Sequence, residues 1–311
     1  MHKPGVRLHL EGLVIAKTIG DEDAIAVMLE ASAHHAFFNG DYQKARGYFL
    51  ESREHYRNVG NSTSVLRQLR HLAYIYYFLG DYRQADQCLD EASEEFREIG
   101  HDTMVLECLD IKAHLYLSQG LFVQVFQCIE AIQIISSRGK HQFHDAKNLY
   151  FHAVIARLQG HFNPAEEYTQ NFMDSSRELG QLELVTTGLY EQGKLAVQDG
   201  ATDHAKRCFL EGMQLSSEYL FCFGHAFHYT GLTGLAAQLE DNEKAARLFG
   251  AADQTFSGLV HVLPLGDRIQ YQADLNCVRG SLGESRFEEL YQEGRLMTKE
   301  QVVGLMMEED E

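Results

Sequence analysis

The sequence has no tryptophan, only 3 prolines, and no Cys-x-x-Cys pair among its 6 cysteines. Each shortage removes a class of protein. With proline confined to Pro4, Pro164 and Pro264, almost nothing interrupts a helix, and an all-helical chain is favoured. Cys88, Cys108, Cys128, Cys208, Cys222 and Cys277 need no disulfide framework in 311 residues of which 45% are apolar, and a reducing, cytoplasmic setting is expected. Cations are also scarce: 27 Lys and Arg against 45 Asp and Glu leave a net charge of −18, which repels phosphate backbones and anionic lipid and excludes the usual basic nucleic-acid binder. No long apolar run opens the chain. Glu11, Lys17 and Asp21 interrupt the first stretch and no small-residue cleavage site follows, so it reads as a helix, not as a signal peptide or membrane span.

What is abundant is glycine, and it falls on a beat. Gly20, Gly40, Gly60, Gly80, Gly100, Gly120, Gly160, Gly180 and Gly200 stand at intervals of 20 residues or a multiple of it, with Gly139 one residue off the series. A glycine just past a helix end accepts the left-handed backbone that closes the last turn, so each interval reads as one helix and one turn. Alternate intervals differ, which makes the repeat a 40-residue helical hairpin. Its turn reads Gly40-Asp41-Tyr42 to Ala45, Gly80-Asp81-Tyr82 to Ala85, Gly120-Leu121-Phe122 to Val125, Gly160-His161-Phe162 to Ala165 and Gly200 to Ala205; a sixth copy, Glu240 to Ala245, lacks the glycine. Asn163 and Pro164 look like an N-cap followed by proline at the first helical position.

Stacked on these markers, the copies show columns. Eleven residues before the marker stand Leu29, Leu69, Leu109, Leu149, Leu189 and Tyr229; seven before stand Ala33, Ala73, Ala113, Ala153, Gly193 and Thr233; nine after stand Phe49, Leu89, Ile129, Thr169, Phe209 and Phe249. Small residues at crossings with large ones between them are what stacked helix pairs need. A lone hairpin cannot bury such a face, so the expected fold is all-α: a right-handed α-solenoid of antiparallel helical hairpins. The Gly-x-aromatic-x-x-Ala turn resembles the tetratricopeptide repeat, although the period of 40 exceeds the usual 34 and keeps HEAT-like packing as an alternative. The expected division is a repeat solenoid over 1–258, a C-terminal helical cap over 259–307 and an acidic tail over 308–311.

Residues 243–305 depart from the repeat. Glu243 to Ala252, with Leu248-Phe249-Gly250-Ala251-Ala252, opens the last long helix; Pro264 to Gly266 breaks the chain before a helix near Arg268 to Arg279; then come Leu282-Gly283-Glu284, Phe287, Glu293-Gly294-Arg295 and Met297 to Val302. Thr298 and Gln301 have capping-box spacing. This run resembles the end of the tetratricopeptide region of MalT-like and LuxR-type bacterial signal-transduction regulators. The resemblance implies a sensor and interaction arm that controls a nucleotide-switching domain and a helix-turn-helix. No GxxxxGK[ST] loop occurs and no DNA-reading module follows, so the expectation is either a fragment of a larger regulator or a free-standing relative.

The search for chemistry yields no catalytic residue, cofactor or metal. His141-x-x-His144 and His225-x-x-His228 lack the HExxH arrangement and read as exposed or capping histidines, and Cys88, Cys128 and Cys208, which share a column, read as core residues. The tetratricopeptide resemblance implies that the first helix of each hairpin lines a concave groove through positions thirteen, ten, six and three before the marker. There stand Arg67, Arg70, Tyr74, Tyr77, His114, Lys147, Tyr150, Arg157, Tyr190 and Lys194, a basic and tyrosine-rich face on an acidic chain. Arg offers bidentate donors to carboxylates and Tyr rigid contact area, which suits a protein or acidic peptide. The expected function is a non-catalytic protein- or peptide-binding solenoid, the sensor arm of a bacterial signalling or transcription regulator, with an attached or separate nucleotide-switching regulator as a further partner. The alternatives are a receptor for short signalling peptides and a scaffold or chaperone adaptor.

Overall fold

A computed structural model describes residues 4–139, 141–218, 224–256 and 259–307; Lys140, Cys222, the side chain of His225 and the acidic tail 308–311 lie outside the described residues. Among the described residues every regular element is helical. The chain divides into two compact units, Met1–Gly139 and Lys140–Glu311. The first holds α1 (Pro4–Ile19), α2 (Glu22–Phe38), α3 (Tyr42–Asn58), α4 (Ser62–Phe78), α5 (Tyr82–Glu98), α6 (Asp102–Leu117) and α7 (Phe122–Ser136). The second holds α8 (Gln142–Leu158), α9 (Phe162–Glu178), α10 (Leu182–Gln198), α11 (Thr202–Glu218), α12 (Gly224–Gln238) and α13 (Asn242–Phe256), then a short 3-10 turn at Leu259–Val262, α14 (Leu265–Leu282), α15 (Glu284–Arg295) and α16 (Lys299–Met307). From α1 to α7 and from α8 to α13 successive helices pack on their neighbours as hairpins, an all-α repeat solenoid, while α15 and α16 both pack back on α13.

The glycine beat is the punctuation of this stack. All nine glycines of the 20-residue series have φ between 65° and 77°, the left-handed region that only glycine enters at no steric cost. The turn at Gly40 shows why the position recurs: Gly40 N–H donates to the Phe37 carbonyl at 2.9 Å and Asp41 N–H to the Ala36 carbonyl at 2.9 Å, which satisfies two carbonyls at the helix end. The residue after the glycine then caps the next helix. Side chains of Asp21, Asp41, Asn61 and Asp81 accept the N–H three residues on, at 3.0 to 3.2 Å, each worth about 1 kcal/mol. In the sixth copy Glu240 adopts φ 60° without being glycine.

Asn163 is not the cap that its sequence context suggested. Helix α9 begins at Phe162 with His161 in the cap position, so Pro164 stands third in the helix. Its missing N–H costs nothing there, because the first-turn donors have no intrahelical acceptor.

The stacked columns are the core. Phe49, Leu89, Ile129, Thr169, Phe209 and Phe249 are all buried, as are Ala33, Ala73, Ala113, Ala153 and Thr233. Each large member contributes about 1.5–3 kcal/mol by leaving water. Cys128 and Cys208 are buried and Cys88 half-buried, and burial pushes all three thiols up to about 11. His144 and His228 are also buried, contrary to the exposed or capping role expected of their pairs. They sit on helix faces that neighbouring helices cover, where the aromatic ring packs as a hydrophobe: His144 is edge-on to Phe143 and His228 lies beside Tyr190 and Phe209.

The last long helix is α14, not α13. Pro264 occupies its cap position and the helix runs three residues further at each end than the span from Arg268 to Arg279. The capping box is made: Thr298 N–H donates to Gln301 Oε1 at 2.7 Å and Gln301 N–H to Thr298 Oγ1 at 3.3 Å. Helices α13 and α15 cross with their backbones in close contact. A Cβ on Gly250 would stand 2.0 Å from the Tyr291 carbonyl oxygen, and one on Gly294 would stand 1.9 Å from that of Arg247, so both residues must be glycine for the backbones to touch. Ion pairs of Arg247 with Glu293 at 2.9 Å and of Arg286 with Glu243 at 2.8 Å flank the crossing.

Candidate functional site

In the first unit the groove positions lie on α2, α4 and α6, and their charges pair from hairpin to hairpin. Arg67 Nη2 reaches back to Glu30 Oε2 at 3.3 Å, and Arg70 Nη1 reaches forward to Glu107 Oε2 at 3.0 Å. Neither pair is sealed from water: the Arg67 side chain is 39% exposed and that of Glu107 35%. Each pair has one largely covered member, Glu30 at 16% and Arg70 at 19%, and one that water reaches, where an incoming carboxylate or cation can compete. Beside them Tyr74 packs on Phe37 and Phe78 at ring distances of 5.6 and 4.8 Å, while Tyr77 is buried against Phe78. Tyr74 is therefore the half-exposed aromatic of the pair, and His114 is half-buried one hairpin on.

Glu30 gathers more than Arg67. Tyr56 donates its hydroxyl to Glu30 Oε2 at 2.9 Å, and burial together with that acceptor pushes the phenol up to about 12. His34 and His71 stand on the other side of the carboxylate, their Nε2 atoms 4.0 and 3.9 Å from Oε1. The two imidazoles meet edge to face at 4.7 Å, and His71 stacks on Phe49 at 5.0 Å. Burial first, and then the Arg70 charge, holds His71 down to about 2, while burial also lowers His34. His71 is thus neutral in ordinary buffers, and His34 is shifted toward the neutral form.

The second unit uses the same positions differently. Arg157, three before its marker, is 2% exposed and donates to two carboxylates. Its Nη1 and Nη2 hold both oxygens of Asp267 at 2.9 and 2.8 Å, and its Nε and Nη2 hold Glu191 at 2.7 and 3.3 Å. Lys194, six before its marker, adds a contact to Asp267 at 3.2 Å. Burial opposes every charge in this cluster. The carboxylates nevertheless keep Arg157 charged, and against its burial the Arg157 and Lys194 cations hold Asp267 well below the usual carboxylate range. Glu191 is raised by the same burial.

Asp267 comes from α14, which therefore lies along the groove face of its own unit. Gly266 passes so close to Leu158 that a Cβ would stand 2.7 Å from its Cδ2, and Tyr271 meets Phe249 at 5.0 Å. Tyr190 is buried at the same place with its hydroxyl 3.4 Å from Thr230 Oγ1, Tyr150 is buried against Phe172, and Lys147 sits over the Phe143 ring at 4.9 Å. Of the ten expected groove residues, Arg67, Arg70, Tyr74 and Tyr77 come together on α4, and Arg157, Tyr190 and Lys194 come together under α14. The expectation missed Glu191, Asp267 and His71. Glu191 and His71 share the column nine before the marker, where the other copies carry Ala31, Ile111, Phe151 and Gly231, so a charged or titratable residue there was a usable signal. Asp267 lies outside the repeat register and gave none.

Residues 24–98, which cover nearly all of the hairpins α2–α3 and α4–α5, match the tetratricopeptide repeat family, whose hairpins serve protein–protein interaction. Among solved structures the chain is similar to the tetratricopeptide domain of P58(IPK), at 9% identity and a TM-score of 0.26 over 98% of this chain and 99% of that one. No curated protein matches the sequence. No described helix is long and apolar enough to cross a membrane.

Proposed function

We propose that the chain is a non-catalytic binding module that takes an acidic protein segment on the α2–α4–α6 face of its first unit. One observation carries this reading. In the second unit, cations at groove positions, Arg157 and Lys194, already grip a carboxylate presented by a helix, that of Asp267 on α14. The first unit has two arginines on the first-helix face, Arg67 with its own side chain 39% exposed and Arg70 with a partner, Glu107, 35% exposed, and an adjoining half-exposed tyrosine, Tyr74. Arg67 and Arg70 would exchange Glu30 and Glu107 for the ligand's carboxylates, and Tyr74 would supply rigid apolar area. His114 completes this face; Lys147, Tyr150, Arg157, Tyr190 and Lys194 serve the second unit's own packing.

On the resemblance of residues 243–305 to the MalT-like and LuxR-type regulators, we place this module as a sensor or regulatory arm of a bacterial signalling or transcription regulator. Its partner would then be a nucleotide-switching domain or a segment of one, and the division we propose on the repeat register is a solenoid over 1–258, a C-terminal helical cap over 259–307 and an acidic tail over 308–311. The test is fluorescence anisotropy of labelled acidic peptides, drawn from a peptide array, with the full chain. Arg67→Gln with Arg70→Gln should weaken the tightest peptide by more than about tenfold, one lost charge-assisted contact being worth ~1.5–3 kcal/mol, with helicity unchanged. Equal affinity in the double variant would refute the reading.

A further inference from the structure

The grouping of Glu30, His34 and His71 has no role in the peptide-binding account beyond its hold on Arg67. One ligand atom from each of the three lies within 4.8 Å of the other two. Any triangle with sides no longer than 4.8 Å has a point within about 2.8 Å of all three corners, so inward movements of roughly 0.7 Å bring the three atoms to the 2.0–2.1 Å that a zinc ion takes from imidazole and carboxylate. The shift is a small adjustment of χ angles. His34 and Glu30 are four apart on α2 and share a face of that helix, while His71 projects from α4, so the ion would bridge two successive hairpins.

We propose that Glu30, His34 and His71 form a binding site for a divalent transition-metal ion of the zinc type, with one coordination position left open. Two imidazoles and a carboxylate are a donor set that zinc and cobalt accept, whereas magnesium and calcium prefer an all-oxygen shell. The carboxylate is already oriented for the task. Tyr56 and Arg67 both donate to Oε2 at 2.9 and 3.3 Å, which leaves Oε1 directed at the two histidines, the outer-shell arrangement that fixes a metal-binding carboxylate. His71 is likewise held, stacked on Phe49.

Arg70 stands beside the ion's place, with Nη2 3.2 Å from His71 Nε2 and 3.5 Å from its Nδ1. Its Nη1 is already on Glu107 at 3.0 Å, so it gives up the imidazole contact and keeps the carboxylate. With Arg67 and Arg70 beside a doubly charged ion, and Glu30 and Glu107 as their ion-pair partners, the site carries an excess of positive charge. The open position therefore takes an anion in preference to a neutral donor. His34, with a side chain 39% exposed, is the wall through which ion and anion enter. The site shares Glu30, Arg67 and Arg70 with the proposed peptide face, but its test reads metal uptake alone and needs no peptide.

The test is calorimetric titration of the full chain, stripped of metal by a chelator, with Zn2+, Co2+ and Mg2+, together with visible absorption of the Co2+ form. One Zn2+ or Co2+ per chain is expected, with the intense band of four-coordinate cobalt and no heat from Mg2+. His34→Ala should weaken binding by about tenfold or more and abolish the band. If that variant loses helicity, Glu30→Gln, which keeps the volume of the side chain, is read in its place with the same expectation. A wild-type chain that takes up no Zn2+ or Co2+, or a folded variant with unchanged affinity and spectrum, as the other histidines of the chain would give, overturns the proposal.

Discussion

Replacing Arg157 with methionine is the most demanding test of the packing described for the second unit. The guanidinium is buried between Glu191 and Asp267 and donates to both in paired contacts of 2.7 to 3.3 Å. Methionine fills most of the volume but leaves two buried carboxylates facing each other with Lys194 as the one remaining cation paired with them among the described residues. Removing one partner from such a cluster costs about 3–5 kcal/mol, because the remaining charges keep their desolvation penalty and lose its compensation. In a unit of this size that is a fall of about 6–20 °C in melting temperature. Urea unfolding followed by circular dichroism gives the free energy. Exchanging all three together, Arg157→Met with Glu191→Leu and Asp267→Leu, should recover most of the loss, since an apolar triad of similar volume is near neutral or better. An Arg157→Met chain within 1 kcal/mol of the parent would refute the reasoning, and would mean that water reaches the cluster.

Two further substitutions test other joints of the fold. Gly250→Ala puts a methyl 2.0 Å from the Tyr291 carbonyl oxygen; since backbone cannot yield as a side chain does, α13 and α15 must separate, and a loss of about 3 kcal/mol or more is expected in the same unfolding assay. Glu240→Gly removes the strain of a non-glycine residue at φ 60° and should stabilise the chain by about 1 kcal/mol, read as a higher urea midpoint with an unchanged slope.

The helical hairpins and their boundaries were legible in the sequence because two local rules mark them. Glycine at most helix ends, and Asp or Asn just after it at Gly20, Gly40, Gly60 and Gly80, answer to φ and to unpaired amides, which act within a few residues and so leave a regular trace. The buried columns were legible for a related reason: a residue such as Phe49 meets the same environment as Phe209 and Phe249, one or more periods away. The motif around Gly250 and Gly294 could be recognised from resemblance, but its physical cause, a backbone contact between two helices, is invisible until they are crossed.

The groove was legible by position and not by partner. Repeat register placed Arg67, Arg70 and Arg157 on the first-helix face of their hairpins. It could not say that Asp267, 110 residues from Arg157, folds back onto that face, because a single carboxylate in a non-repeating helix has no period. His161 shows the opposite limit. Local signals favoured Asn163 and Pro164 as a helix start, and the fixed length of the preceding turn overrode them.

The central claim, that acidic segments bind on the first unit and not the second, is tested most directly by hydrogen–deuterium exchange of the full chain with and without the tightest acidic peptide. Slowed exchange in α2, α4 and α6, with α8, α10 and α12 unchanged under α14, is the predicted result. Protection confined to α8, α10 and α12, or to the second helices of the hairpins, would contradict it.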